Sequence, residues 1–248
     1  MISEKSEESK RFFNGNVKEQ LIYLKHPLHK YQKLKRYIHA IGMANITKND
    51  VVLEIGCGIG YQIPYLLKKC KSYYGIDFSK ESIAICRIYC KSKKAILKVA
   101  DAHKLPFNRN VFDVALIIDT LENFENPERV LDEASRVLKE NGRIVVSVPN
   151  IKSFYGLLTF MMQKRLDSLI PPIQKWFDVK KMVFLLEKKG FDIVDIRGSF
   201  FIPPFYTGRN YLIPYYKTIP RYYDHFENVL SKHMKMFGHH IIICAKKR

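Results

Sequence analysis

Glu54, Gly56, Gly58 and Gly60 stand close together in Glu54-Ile55-Gly56-Cys57-Gly58-Ile59-Gly60, and their spacing suits a nucleoside-binding loop. Glycines let the chain turn tightly and let a ligand approach the backbone with no Cβ in the way. The order E-x-G-x-G-x-G differs from the G-x-G-x-x-G of dinucleotide sites. An acidic side chain ahead of the glycines would repel a pyrophosphate and welcome a cationic amino-acid moiety. Three further carboxylates follow at regular intervals. Asp77, about twenty residues on, could accept hydrogen bonds from both ribose hydroxyls, or could cap the next helix with Ser79. Phe78 beside it could pack against a purine. Asp101 could accept an exocyclic amine, with Ala102 or His103 offering backbone contact, although Asp is also common in turns at strand ends. Asp119 could lie near the reacting atom or could be another helix N-cap.

These residues matter because of where the elements place them. VVLEIG (from Val51), SYYGIDFS, AILKVAD, FDVALIIDTL and RIVVSVPN read as short apolar strands, the mark of a buried parallel sheet. Helices are expected between them, at about 61–69, from Ser79 onward with Glu81 in the first turn, and over PERVLDEASRVLKE with Pro127 near its start. Alternation of this kind places helices on both faces of the sheet and ligands beyond the C-terminal ends of its strands. Before this core, residues 16–44 carry apolar side chains at helical spacing. After it come an apolar and basic insert (151–176), the helix FDVKKMVFLLEKKG, the strand FDIVDIRG, an aromatic and proline-rich segment (199–226) and a last strand HHIIICAKK.

At 248 residues the chain suits a single domain with additions. We expect an N-terminal helical arm (1–45), a cofactor-binding core (46–150), and a cap insert with the C-terminal half of the sheet (151–248). The five cysteines are odd in number and form no CxxC pair, which argues against a disulfide framework or a zinc site and for a reduced, cytoplasmic setting. The start is polar and no apolar stretch approaches the roughly 20 residues of a bilayer span. The formal charge is +18, yet residues 51–150 hold 15 basic against 12 acidic residues, so the excess lies in the arm and after Asn150. It fits either solvated surface or attraction to an anionic partner, such as an acidic membrane surface or nucleic acid.

VVLEIGCGIG, GIDFS, VADAHKLPF, FDVALIIDTLEN and RVLKENGRIVVSVPN, in this order, resemble the class I S-adenosylmethionine-dependent methyltransferases, most closely the type-11 branch of ubiquinone and menaquinone biosynthesis. S-adenosylmethionine carries an ammonium and a sulfonium and no phosphate, which agrees with the acidic loop. The resemblance implies a Rossmann-like, doubly wound α/β fold with seven strands ordered 3-2-1-4-5-7-6, the last antiparallel. It implies S-adenosyl-L-methionine as cofactor, held by Glu54, Gly56, Gly58, Asp77, Asp101 and Asp119. Cys57, Gly60, Phe78, Ala102 and His103 join this set by their places beside those residues. Many relatives carry His where this chain has Asn123, and an amide does not titrate near neutrality.

A hydroxyl acceptor would benefit from a general base. Glu122 and His103 are candidates, and His225, His239 and His240 follow. Each has the plainer reading of a surface or strand-flanking residue. The acceptor is expected to be a small molecule or lipid-like, under a cap that includes Phe200, Phe201, Phe205, Tyr206, Tyr211, Tyr215, Tyr216, Tyr222 and Tyr223. RNA or protein is the alternative acceptor, and a catalytically silent cofactor-binding module a third reading. Nucleic acid ranks second because Asp119-Thr120-Leu121-Glu122 stands where base-amino methyltransferases carry a D/N/S-P-P-Y/F motif.

Overall fold

The computed structural model describes residues 27–153, 156–157, 160–161, 175–199, 229–231, 233–234 and 236–248. The chain order is α1 (Pro27–Met43), β1 (Val51–Ile55), α2 (Ile63–Leu67), β2 (Ser72–Asp77), α3 (Lys80–Tyr89), β3 (Ala95–Val99) and β4 (Phe112–Ile118). A single 3-10 turn (Leu121–Asn123) follows, then α4 (Pro127–Val137), β5 (Leu138–Pro149), α5 (Val179–Lys188), β6 (Phe191–Ser199) and β7 (His240–Lys247). Residues 16–26 of the expected arm, the cap aromatics between Phe200 and Tyr223, and His225 lie outside the described residues.

The strands form one sheet in the order β3-β2-β1-β4-β5-β7-β6. β1 to β5 pair in parallel, and β7 runs antiparallel between β5 and β6. The order and the reversed strand are those the motifs implied. Alternate side chains of the central strands enter two cores, as the pleat requires. Leu53, Ile55, Ile241 and Ile243 pack with Val130, Leu131, Ala134, Met182 and Leu186 of α4 and α5. Val52, Ile242 and Cys244 pack on the other face with Tyr37, Ala40 and Ile41 of α1, Ile63 and Leu66 of α2, and Ile83 of α3. Burial on both faces explains why these strands read as unbroken apolar runs.

Local chemistry sets the helix ends. Ser79 Oγ accepts from Ser82 N at 3.1 Å, Asn126 Oδ1 from Arg129 N at 3.0 Å, and Asp178 Oδ1 from Lys181 N at 2.8 Å. Two expected boundaries shift. The helix over PERVLDEASRVLKE stops at Val137, because buried Leu138 is extended and pairs with Phe112 across an irregular register. Asn141, at φ 61°, then turns the backbone inside β5 rather than ending a helix. The helix expected at 61–69 shrinks to Ile63–Leu67, since hydrogen-bonded turns continue from Cys57 through Gly60 to Ile63.

α1 is tied to the sheet by Arg143 of β5. Its Nη1 donates to Ala44 O (2.7 Å) and Asn45 O (2.9 Å), and its Nη2 pairs with Asp50 Oδ1 at 2.7 Å. Among the described residues no helix is long and apolar enough to cross a membrane. All five cysteines are free thiols.

Candidate functional site

The site is built at the C-terminal ends of β1, β2 and β4, where the parallel strands stop and their loops diverge. At Gly56 (φ 78°) the chain leaves β1, and the N–H groups of Gly56 and Cys57 both donate to Ile76 O, at 2.8 and 2.9 Å. A Cβ on Gly56 would collide with the Thr120 side chain. At Gly58 (φ 54°) a Cβ would meet nothing within 4 Å, so open space lies above the loop there. Gly60 packs instead, against Cys86 Sγ and Ile63.

Asp77 closes this cradle. Its Oδ2 accepts from Gly58 N at 2.8 Å and its Oδ1 from Ser79 N at 2.9 Å. It therefore positions the loop, and it is Ser79 that caps α3. Burial raises the Asp77 carboxyl above its ordinary range, while the backbone donors at Ser79, Gly58 and Phe78 pull it back. Phe78 next to it is partly exposed. Beyond β3, Asp101 Oδ1 accepts from His103 N at 2.9 Å and faces His103 Nδ1 at 2.8 Å. The His103 ring meets Phe124 edge-on, with centroids 5.4 Å apart, and Ala102 is buried. These residues form the outer rim.

Glu54, expected to favour a cation, lies deeper than the other carboxylates of the site. Its side chain is fully buried beneath the loop. Oε1 accepts from Gln62 Nε2 at 2.7 Å and Oε2 from Tyr73 OH at 2.6 Å, and Tyr37 of α1 also hydrogen-bonds it. Any influence on a ligand above the loop passes through space. Burial pushes the Glu54 carboxyl up to about 7, against the lowering effect of these three donors.

The inner end of the site belongs to the turn after β4. Asp119 adopts φ 51°, which ends the strand, and the following Thr120 occupies the N-cap place of the 3-10 turn. Asp119 is thus not a helix cap. Its Oδ1 accepts from Ser147 Oγ at 2.9 Å, and its Oδ2 pairs with Arg36 Nη2 at 2.6 Å. His240 Nε2 stands 3.7 Å from Oδ1. His239 contacts the His240 ring edge-on at 4.5 Å, and burial, with His240 and Arg36 nearby, depresses its pKa well below the usual imidazole value. Both histidines arrive because β7 runs antiparallel, so its start lies beside the end of β5, one strand away from the end of β4. Thr120 Oγ1 reaches Gly56 O at 3.4 Å, which ties this turn to the glycine loop.

Glu122 is almost fully enclosed, and its Oε2 has no hydrogen-bond partner; the same holds for Oδ1 of neighbouring Asn123. Burial first, and then the charge of Asp119, raises the Glu122 carboxyl well above its ordinary range, while its own backbone N–H and then Arg36 act against them. Sequence reasoning did not single out Arg36, Thr120, Ser147, Gln62 or Tyr73. Arg36 sits in a lysine-rich helix where nothing in the sequence marks it from Lys30, Lys33 and Lys35. Among the described residues no cluster of metal-ligating side chains occurs.

The sequence pattern of the family described as a methyltransferase domain matches residues 53–146, from β1 into β5. The demethylmenaquinone methyltransferase of Tropheryma whipplei (strain Twist) is 32% identical over 168 residues, which are 61% of this chain and 70% of that protein. The ubiquinone biosynthesis O-methyltransferase of Colwellia psychrerythraea (strain 34H) is 24% identical over 181 residues, 69% of this chain and 73% of that one. Among solved structures, an S-adenosylmethionine-dependent methyltransferase of Thermotoga maritima, described as a possible histamine N-methyltransferase, superposes with a TM-score of 0.68. It does so at 20% identity over 96% of this chain and 99% of that chain, a likeness of fold. The strand order, the glycine cradle at the tip of β1 and a relative matched across more than two thirds of its length converge: the chain belongs to the class I S-adenosylmethionine-dependent methyltransferases, in the type-11 branch.

Proposed function

We propose that the chain moves the methyl group of S-adenosylmethionine to a small-molecule or lipid-like acceptor, specifically a hydroxylated aromatic ring of the quinol type. The matches to a demethylmenaquinone methyltransferase over 70% of that protein's length and to a ubiquinone biosynthesis O-methyltransferase over 73% carry the choice of acceptor, the second for transfer to a hydroxyl oxygen. The aromatic and proline content of 199–226 agrees with it as a cover for a flat ring.

The residues fit the cofactor. Open space over Gly58 leaves room for a nucleoside, and the glycine loop from Gly56 to Gly60 carries no lysine or arginine to receive a pyrophosphate. Asp77 would take the ribose hydroxyls with the lone pairs that its two backbone donors leave, since a carboxylate has about four acceptor sites. Phe78, Asp101, Ala102 and His103 would line the adenine end, and Asp119 the methyl-donating end. Glu54, below the loop, would favour a cation through space. When bound, S-adenosylmethionine supplies a methyl carbon on a sulfonium, already a good leaving group. The protein's share of the work is then to align the acceptor and to exclude water.

The basic excess outside 51–150 supports contact with an acidic membrane surface, where a lipid-like acceptor would be found. Labelled S-adenosylmethionine, incubated with the protein and a cell extract, tests the whole reading. Label recovered by mass spectrometry in a lipid-soluble phenolic product supports it. Label confined to RNA or protein overturns it.

A further inference from the structure

The mechanism so far leaves unassigned the proton that a hydroxyl acceptor must lose. Glu122 and Asn123 follow each other in the turn after β4, and each holds a buried oxygen, Glu122 Oε2 and Asn123 Oδ1, that no donor reaches. Buried polar atoms are nearly always hydrogen-bonded, so two adjacent orphan acceptors point to a ligand that brings an O–H. Thr120, two residues before Glu122, touches the glycine loop, which places this turn at the cofactor's end of the crevice. Lys175 N holds the Glu122 carbonyl at 3.0 Å and so fixes the turn from its outer side.

We propose that Glu122 is the general base that takes the proton of the acceptor hydroxyl, with Asn123 as a second contact to that hydroxyl. The inference rests on the methyl-transfer reading above. In the step, the acceptor oxygen forms its bond to the methyl carbon as the carbon–sulfur bond breaks and the electron pair stays on sulfur. The hydroxyl proton passes to Glu122 Oε2. The charged groups that act on this carboxyl are Asp119 from the end of β4 and Arg36 from α1, and His240 at the start of β7 stands against Asp119 in turn. Burial and Asp119 hold Glu122 above the usual carboxylate range, which brings it towards the working pH of a base.

Proton linkage on cofactor binding tests this without turnover. Full-length wild type and Glu122→Gln are titrated calorimetrically at several pH values from about 5 to 8 with S-adenosylmethionine and with S-adenosylhomocysteine, in buffers of different ionisation enthalpy. A sulfonium beside Glu122 favours its carboxylate form and a neutral thioether does not. Wild type should therefore release more protons with the first ligand than the second, and Glu122→Gln should lose that excess. An equal excess in both proteins overturns the proposal, whereas no binding of either nucleoside overturns the underlying reading instead. Glu122→Asp, which keeps the carboxylate, should keep the excess and guards against a folding defect in the amide variant. With 1,4-dihydroxynaphthalene as acceptor, the kcat of Glu122→Gln should fall about a hundredfold and lose the acid limb of its pH profile. An intact acid limb in that variant contradicts the assignment. A wild type inert towards this diol counts against the quinol reading, and the calorimetry still judges Glu122.

Discussion

Replacing Glu54 by glutamine removes a carboxyl buried directly under the glycine loop, and its effect on stability should depend on pH. In the folded protein the group titrates at about 7, against 4.5 for a free carboxyl, chiefly because burial disfavours the charge. A raised folded-state value means that the contribution is complete below pH 4.5 and is lost as pH rises through 7. Linkage over that window gives about 2.5 kcal/mol between pH 5 and pH 8. Glutamine does not titrate and matches the shape, so the stability of Glu54→Gln relative to wild type should rise by about 2.5 kcal/mol over the same interval. For a chain of this size that corresponds to a relative Tm gain of roughly 5–10 °C. Urea denaturation of both proteins at pH 5, 6, 7 and 8 measures it, and the other titrating groups cancel in the difference. A difference that stays flat with pH refutes the reasoning. It would mean that the hydrogen bonds from Gln62, Tyr73 and Tyr37 outweigh burial and keep Glu54 ionised.

Other outcomes follow from the same geometry. Asp77→Ala leaves Gly58 N and Ser79 N without their acceptor, and should weaken S-adenosylmethionine binding at least about tenfold, the scale of one lost charge-assisted hydrogen bond, in calorimetry. Unchanged affinity there contradicts the placement of the ribose. Gly58→Ala meets no neighbour, so it should cost only the left-handed backbone strain of about 1 kcal/mol, yet weaken cofactor binding. Gly56→Ala drives a methyl into Thr120 and should be the less stable of the two by about 1–3 kcal/mol in thermal melts. The reverse order would discredit the loop geometry. Arg143→Ala should lower stability by about 2 kcal/mol and expose the segment after α1 to limited proteolysis, because three acceptors lose their donor.

The cofactor half of the molecule was legible in the chain because its determinants are local. A buried parallel strand shows as VVLEI, the turn after it shows as glycines, and a strand-end carboxylate shows as Asp77; each depends on a few consecutive residues and on the pleat and turn rules they obey. The sheet order came from the family's motifs rather than from any pairing signal in the residues themselves. What the sequence left open is the inner end of the site. Arg36, Asp119, Glu122, Ser147 and His240 are spread from α1 to β7, and they meet because β4 pairs with β5, β7 inserts antiparallel beside β5, and α1 packs on the sheet. Whether a carboxylate is a contact, a cap or a buried acid depends on how much water and which donors surround it. That is why Glu54 lies fully buried among Gln62, Tyr73 and Tyr37, and why Glu122 keeps a buried oxygen without a partner. Spacing along a chain fixes which groups are near in sequence, but desolvation and partner charges belong to the folded packing alone.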